Sequence, residues 1–420
     1  VTVIDDDEIV TEYLCIGLAF DLLEDGFVDA YTGDPALRAQ VRDEGVPDPA
    51  VLGRRAARLR GRLPGGLPAD RAEFISSHLR ALECSAAKFA GEDIGFVDEV
   101  RAYFDVDISA EDPEVYRQAH RKLADALGVA DRPEALRDAY TAYRRAGEIP
   151  ADRLGDCVTA FSSALRDEVR KSVDLPVEET VEFEIVSDQP WSGFNYYLGD
   201  YRSRVAINTD VPQHFSALPH LVAHEAYPGH HTEHCRKEKL LVGGGQGEQT
   251  IFLVNTPQCL MAEGLADHAL RAAIGPDWPL WAETIYADLG LRFDAHRATA
   301  VGEATAGLLA VRQDAALLLH DRHADADEVA AFLSRWLLVG QDRARQMLRF
   351  LTSPLWRAYI STYVEGYRLL GDWLDGSPGG RVAGEPSESV VSRPGDRAAR
   401  FNRLLDEPLT PALLRAELAH

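Results

Sequence analysis

The sequence predicts a mainly α-helical protein carrying one small antiparallel β-sheet. Two observations lead there. Through most of the chain, apolar residues recur at the spacing that lines one face of a helix. Alternation of apolar and polar residues, the mark of a half-buried strand, is confined to roughly 179–209. With 420 residues, 46% hydrophobic and 27% charged, the chain has material for a sizeable core, in one large domain or two to three lobes.

The first helix is expected over 6–30, where Ile9, Leu14, Leu18, Leu22 and Phe27 fall a turn or slightly more apart. Further helices are expected near 35–45, 48–62, 69–90, 113–127, 132–146 and 150–173, with the Pro and Gly of RLPGGLPAD breaking the run at 62–70. Together they form a helical N-terminal lobe, 1–175. The pattern changes at Leu175. VEETVEFEIV alternates, and Gly199-Asp200 separates two β-prone runs as a hairpin turn would. Helices then resume at 212–227. Thr256-Pro257 reads as an N-cap followed by Pro in the first turn, opening a helix to about 273. Others follow near 277–295, 299–320, 326–339 and 341–374, closing a second lobe over 176–374. The segment DGSPGGRVAGEPSESVVSRPGD reads as a surface loop or linker, assigned to 375–398, ahead of a helical tail over 399–420. No fixed-period repeat is visible.

A formal net charge of −24 repels phosphates, so neither nucleic acid nor an anionic membrane face is an expected partner. Cys15, Cys84, Cys157, Cys235 and Cys259 are odd in number, widely spaced and free of CxxC pairs. That fits a reducing compartment better than a disulfide framework. VTVIDDDEIV lacks the basic start and apolar run of a signal peptide, and no apolar stretch is long enough to span a bilayer. The expectation is a cytoplasmic protein; oligomeric state is not legible.

LVAHEAYPGHHTEH, at 221–234, holds four of the 13 histidines. On a helix, HExxH presents two imidazoles one turn apart, with a glutamate beside the first. His224-Glu225 supplies that start, but the position four residues on is Pro228. On an ideal helix His230 lies roughly 120° from His224, and His231 shares its face but sits roughly 10 Å along the axis. Neither reaches a common ion unless the helix is interrupted. Pro228 removes a backbone donor and bends the helix, and Gly229 tolerates unusual backbone angles. A two-residue bulge there brings His230 into the missing position. His231 is the alternative ligand, or else a supporting or substrate-contacting group.

A third ligand is expected from MAEGLADHALRA at 261–272. Glu263 and Asp267 share one helical face. Glu263 then serves as ligand, while Asp267 accepts the free N–H of a ligating histidine. Gly264 is expected to let this helix approach the motif helix. His268 competes as ligand or as oxyanion donor. Cys235 and Cys259 flank the two motifs and read better as buried small hydrophobes than as soft ligands. Two histidines, one carboxylate and an open position form the donor set of a hydrolytic Zn2+ site, with Glu225 as general base.

These residues resemble domain-of-unknown-function family 885, marked by HExxPGHH followed by an EG-containing helix. That family is similar in fold to the carboxypeptidase Taq group of zinc metallopeptidases. The resemblance is strongest over about 191–367, with the helical N-terminal half compatible. It implies His224, His230 and Glu263 as zinc ligands and Glu225 as base. It also implies a helical metallopeptidase-like shell around a deep cleft, with the 179–209 hairpin offering an edge strand to a peptide. The family's common EGWALY reads EGLADH here, so the role of Asp267 rests on local chemistry alone.

The oxyanion donor is expected from the stripe Tyr359, Tyr363 and Tyr367, since related peptidases use a late Tyr or His. Tyr363 leads, Tyr367 follows, and His268 and His231 compete. Arg202, Arg204 and Arg368 are candidates to hold a substrate carboxylate. The implied function is a zinc-dependent, carboxypeptidase-like peptidase acting on a peptide or small amide. Its rivals are a zinc hydrolase of non-peptide amides or esters, and a non-catalytic peptide- or metal-binding protein on the same scaffold.

Overall fold

The computed structural model describes residues 6–63, 67–188, 193–210, 212–376 and 394–419. Helices dominate them, as the periodicity predicts. The first helix, Asp6–Phe20, is shorter than expected. Gly26 adopts φ +83°, a left-handed conformation that turns the chain. Val28–Tyr31 then runs as a strand, β1, burying Val28 and Ala30. An additional helix, Phe96–Phe104, packs Phe96, Val100 and Phe104 into the core.

Three further strands lie where alternation placed them: β2 (Thr180–Val186), β3 (Gly193–Gly199) and β4 (Arg202–Asn208). The hairpin turn at 199–201 is as expected, with Gly199, Asp200 and Tyr201 all at positive φ. The expected antiparallel sheet is instead mixed. Its order is β2-β4-β3, with β3 and β4 antiparallel and β2 and β4 parallel. The direction follows from topology: the chain reverses after β2 and again after β3, so β4 runs with β2 and inserts between the other two. There is also a second sheet. β5 (Ile251–Leu253) pairs antiparallel with β1. Strands of three and four residues are too short for alternation to reveal.

One contiguous apolar core runs from Ile9 through Phe161, Val222 and Leu265 to Leu414, drawing on both halves of the chain. Of the loop expected over 375–398, residues 377–393 lie outside the described residues, as do 64–66 of the break at 62–70 and residue 191. The helix Pro394–Asp406 begins inside the expected loop, and Pro411–Leu418 follows it. Among the described residues no helix is long and apolar enough to cross a membrane.

Candidate metal centre

The helix Leu218–Glu225 is anchored by Leu218, Val222 and Ala223, each 0% exposed. It is shorter than the 212–227 expected. At Ala226 the backbone leaves helical geometry (φ −122°, ψ −82°), a cis Tyr227–Pro228 bond follows, and helix resumes as His230–Lys237. The hydrogen bonds across the gap carry the expected two-residue excess. Gly229 N–H donates to Ala223 O at 2.9 Å, and Thr232 N–H to Ala226 O at 3.2 Å, each reaching six residues back instead of four. Gly229 has an ordinary φ of −77°, so backbone freedom is not its role. A Cβ there would lie 1.9 Å from His224 O, so glycine is required for clearance.

The interruption brings the first two imidazoles together, with ring centroids 4.7 Å apart and planes at 88°. Glu263 arrives from the helix Pro257–Ile274. One ligand atom from each of His224, His230 and Glu263 lies within 4.8 Å of the others. His224 Nε2 is 3.3 Å from Glu263 Oε2, and His230 Nε2 is 3.7 Å from Oε1. Donors around a tetrahedral zinc at ordinary bond lengths sit about 3.3 Å apart, so the spacing fits one ion. Glu263 is 5% exposed, yet its Oε2 has no hydrogen-bond partner. A buried carboxylate oxygen left so is the expected state of a ligand atom. Among the described residues no other group of His, Cys, Asp and Glu meets the same spacing.

The supporting contacts follow the ligand helix. Asp267 Oδ1 lies 3.2 Å from His224 Nδ1, which leaves Nε2 facing Glu263. Tyr359 donates its hydroxyl to Glu263 Oε1 at 2.7 Å, a role the sequence did not single out. Tyr359 sits in a tight turn, Tyr359–Ser361, followed by a wide turn, Thr362–Gly366, and then the helix Tyr367–Asp375, in place of the continuous helix expected. Gly264 permits a close approach, but to this turn and not to the motif helix: a Cβ on Gly264 would lie 2.6 Å from Gly366 O. Glu225 is 6% exposed, and Asn195 of β3 donates to its backbone carbonyl at 2.6 Å. A Cβ on Gly193, also in β3, would lie 3.2 Å from Glu225 Oε1, so this outer strand passes directly over the carboxylate.

Electrostatics follow the burial. His230 is pulled down to about 3 by desolvation and by charge on His224, which keeps the imidazole neutral as ligation requires. In His224 desolvation is outweighed by Asp267 and Glu263, and its pKa is raised. Burial lifts Glu225 to about 7, with Glu263, Asp29 and Asp267 adding to the rise against His224. Asp29 on β1 is also lifted to about 7, by burial and then by Glu263. It had been hidden inside an expected helix. The Tyr363 ring lies 5.8 Å from that of Tyr359, and burial, with the charges of Glu263, Asp267 and Glu225, raises its pKa.

The remaining candidates fall elsewhere. His231 is 0% exposed and faces away from the ligands, with Nδ1 2.8 Å from Ser203 Oγ and Nε2 3.1 Å from Glu179 Oε2. The bulge turns its side chain toward the sheet, so it lies outside the group formed by His224, His230 and Glu263. His268 stacks on Tyr367 at 4.5 Å, and its Nε2 is 2.9 Å from Tyr367 O. Asp267 and His268 are neighbours on one helix, so one faces the centre and the other the helix behind it. Tyr367 is committed to that stack. Arg202 pairs with Asp200, Arg204 with Glu184, and Arg368 with Glu111. Cys235 and Cys259 are buried, and all five cysteines are free.

Neither a family model nor a curated protein matches the chain. A solved structure of a "putative lipoprotein" from Colwellia psychrerythraea superposes with a TM-score of 0.52 at 14% identity, over 88% of this chain and 66% of that one. A "putative lipoprotein of unknown function" from Shewanella oneidensis gives 0.45 at 13% identity, over 91% and 76%. The first likeness shows a shared fold, of which this chain spans just under two thirds of the Colwellia chain's length.

Proposed function

We propose that this protein is a zinc-dependent metallopeptidase of carboxypeptidase-like type, acting on a peptide or small amide. The observation that carries the reading is the convergence of His224, His230 and Glu263 within 4.8 Å, with Glu225 adjoining the first ligand. These three would hold a zinc ion, which would supply Lewis acidity at the site. Glu225 takes the proton from the attacking water and passes it to the leaving amine. Tyr363 donates to the developing oxyanion. Asp267 and Tyr359 fix the orientations of His224 and Glu263. β3 is one of the two outer strands of its sheet and lies over Glu225, which supports the pairing of an extended substrate along it. The net charge of −24 supports a partner that is neither nucleic acid nor an anionic membrane. Five free cysteines support a reducing, cytoplasmic setting.

The test joins elemental analysis of the purified protein with cleavage of a peptide library. Wild type and Glu225→Gln are expected to hold one zinc each, while the variant's hydrolysis falls about 10²–10⁴-fold. His224→Ala is expected to lose the metal. Full activity in the first variant, or undiminished zinc in the second, overturns the reading. Turnover of small amides or esters without peptide cleavage keeps the chemistry and replaces the substrate.

A further inference from the structure

We propose that the crevice between the two sheets is a subsite for a primary carboxamide, supplied by an Asn or Gln side chain of the substrate. That the carboxamide belongs to a substrate rests on the peptidase reading; the amide site itself does not. Phe252 of β5 stands in one wall of the crevice and Tyr197 of β3 in the other, with His234 of the helix His230–Lys237 between them. Gln249 enters from the tight turn Gly247–Thr250 that leads into β5, and Gln258 from the first turn of the ligand helix Pro257–Ile274.

Position ties the crevice to the metal centre. His234 follows His230 by one helical turn, about 6 Å along the axis. Gln258 precedes Glu263 on the same helix, a turn and a half earlier. The Tyr197 ring stacks on His234, with centroids 4.5 Å apart and planes at 13°. Gly193, Asn195 and Tyr197 alternate onto one face of β3, the face from which Asn195 reaches the backbone carbonyl of Glu225. Residues directly opposite on paired strands share a face. A substrate lying along β3 therefore turns the side chain opposite Tyr197 toward the crevice.

The orphaned hydrogen-bonding groups of the crevice name the ligand. Gln249 Nε2 and Oε1 are both enclosed, and neither has a partner among the described residues. Gln258, 6% exposed, leaves its Oε1 equally unpaired. Enclosing such atoms without partners costs stability, so a ligand that pairs them gains what the fold gives up. Together they call for one acceptor and two donors. A primary carboxamide brings that set: its carbonyl accepts from Gln249 Nε2, and its two N–H groups donate to Gln249 Oε1 and Gln258 Oε1. A carboxylate has no donor, an ammonium or guanidinium has no acceptor, and a hydroxyl has a single donor. The charges at the crevice offer a charged group nothing more. Lys237 is paired with Glu233, and Glu238 accepts from the Tyr197 hydroxyl and the Asp200 N–H. Atom centres have about 20 Å³ to occupy inside it, enough for the C, O and N of an amide group and little more.

The experiment measures binding, so it does not depend on turnover. Protein carrying Glu225→Gln is dialysed against N-acetylated tripeptides with free C-termini that differ at one position, which holds Gln or Asn, Glu or Asp, Leu, or Ser. Bound peptides are counted by mass spectrometry. Peptides with Gln or Asn are expected to be retained over the others about 10–100-fold. Gln249→Leu, which puts an apolar group of similar size in place of the carboxamide, is expected to abolish the preference without lowering the urea midpoint. Gln258→Leu gives the same reading should the first variant misfold. A preference for Ser over Gln and Asn overturns the subsite, and so does an amide preference that both variants leave intact. No preference for the amide side chains overturns the assignment to a substrate, and the amide site falls with it unless Gln249→Leu abolishes binding of free propionamide, titrated by NMR. An amide preference that the variants abolish, in a protein whose wild type cleaves no peptide, upholds the subsite and sinks the peptidase reading separately.

Discussion

The two oxygens of Glu263 have different surroundings, and the difference makes a testable claim about Tyr359. Oε1 accepts the Tyr359 hydroxyl at 2.7 Å, and Oε2 has no hydrogen bond at all. One oxygen is held so that the other is presented. Removing the hydroxyl with Tyr359→Phe frees the carboxylate to rotate while leaving the ring packed between Trp356 and Tyr363. Zinc affinity is expected to drop about 10–100-fold, with the urea midpoint little changed. Titration against a chelating indicator measures it, and an unchanged affinity removes Tyr359 from the site. The candidate ligands were legible in the sequence because donor type and local spacing define them. His224 and His230 are separated by a readable two-residue excess, and Glu263 and Asp267 by one helical turn. Asp29, and the bond from Tyr359 to Glu263, were not legible, since each reaches the centre through tertiary packing from a distant element. His231 and His268 read as candidates because sequence gives adjacency and not the direction of a side chain.

At the scale of elements, the ligand helix is positioned by backbone contact. Gly264 and Gly366 meet so closely that a Cβ on the first would lie 2.6 Å from the carbonyl of the second, and a Cβ on Gly366 would lie 2.6 Å from Leu260 O. Neither neighbour is a flexible side chain that could swing aside. Gly264→Ala must therefore separate the helix from the turn that carries Tyr359 and Tyr363. The expected cost is about 1–3 kcal/mol, read as a lower urea midpoint. Zinc affinity is expected to fall with it, because Glu263 moves away from Tyr359. A stable Gly264→Ala protein with normal zinc binding would show that the helix and turn are not in contact. The close glycine was legible, but its partner was not: 264 and 366 are about a hundred residues apart in sequence, and EG next to a metal motif pointed to the wrong helix. The sheets show the same limit. β3 and β4 were legible as a hairpin from their own residues, whereas the parallel pairing of β2 with β4, and the pairing of β1 with β5, depend on which distant strand folds alongside.

Across the whole molecule, one fully enclosed carboxylate joins the N-terminal helices to the metal motif. Glu179, 0% exposed, accepts from Arg166 at 2.7 Å and from Arg170 at 2.6 Å. It also accepts from Tyr227 at 2.6 Å, within the interruption of the motif helix. Its fourth partner is His231 Nε2 at 3.1 Å. Burial lowers the pKa of His231, so the ring is neutral near pH 7. Its Nε2–H then donates to Glu179, and Nδ1 accepts from Ser203. Burial alone would raise the pKa of Glu179, but the four donors outweigh it and hold it at about 2. A carboxylate depressed in the folded state stabilises the fold fully above its unfolded value of about 4.3. That contribution is lost as pH falls from there through about 2. Glu179→Gln removes the charge at every pH and leaves two arginines unmatched. Their side chains stay 39% and 33% exposed to water. The expected cost at pH 7 is therefore near the lower end for a broken buried pair, about 3 kcal/mol. The gap in urea stability between wild type and variant is expected to narrow steadily below about pH 4. Because Tyr227 and His231 flank His230, the variant is also expected to bind zinc more weakly at pH 7. A gap that stays constant from pH 6 to pH 3 would mean that Glu179 is not held ionised by its four partners, and that the histidine motif does not lean on the helices before it.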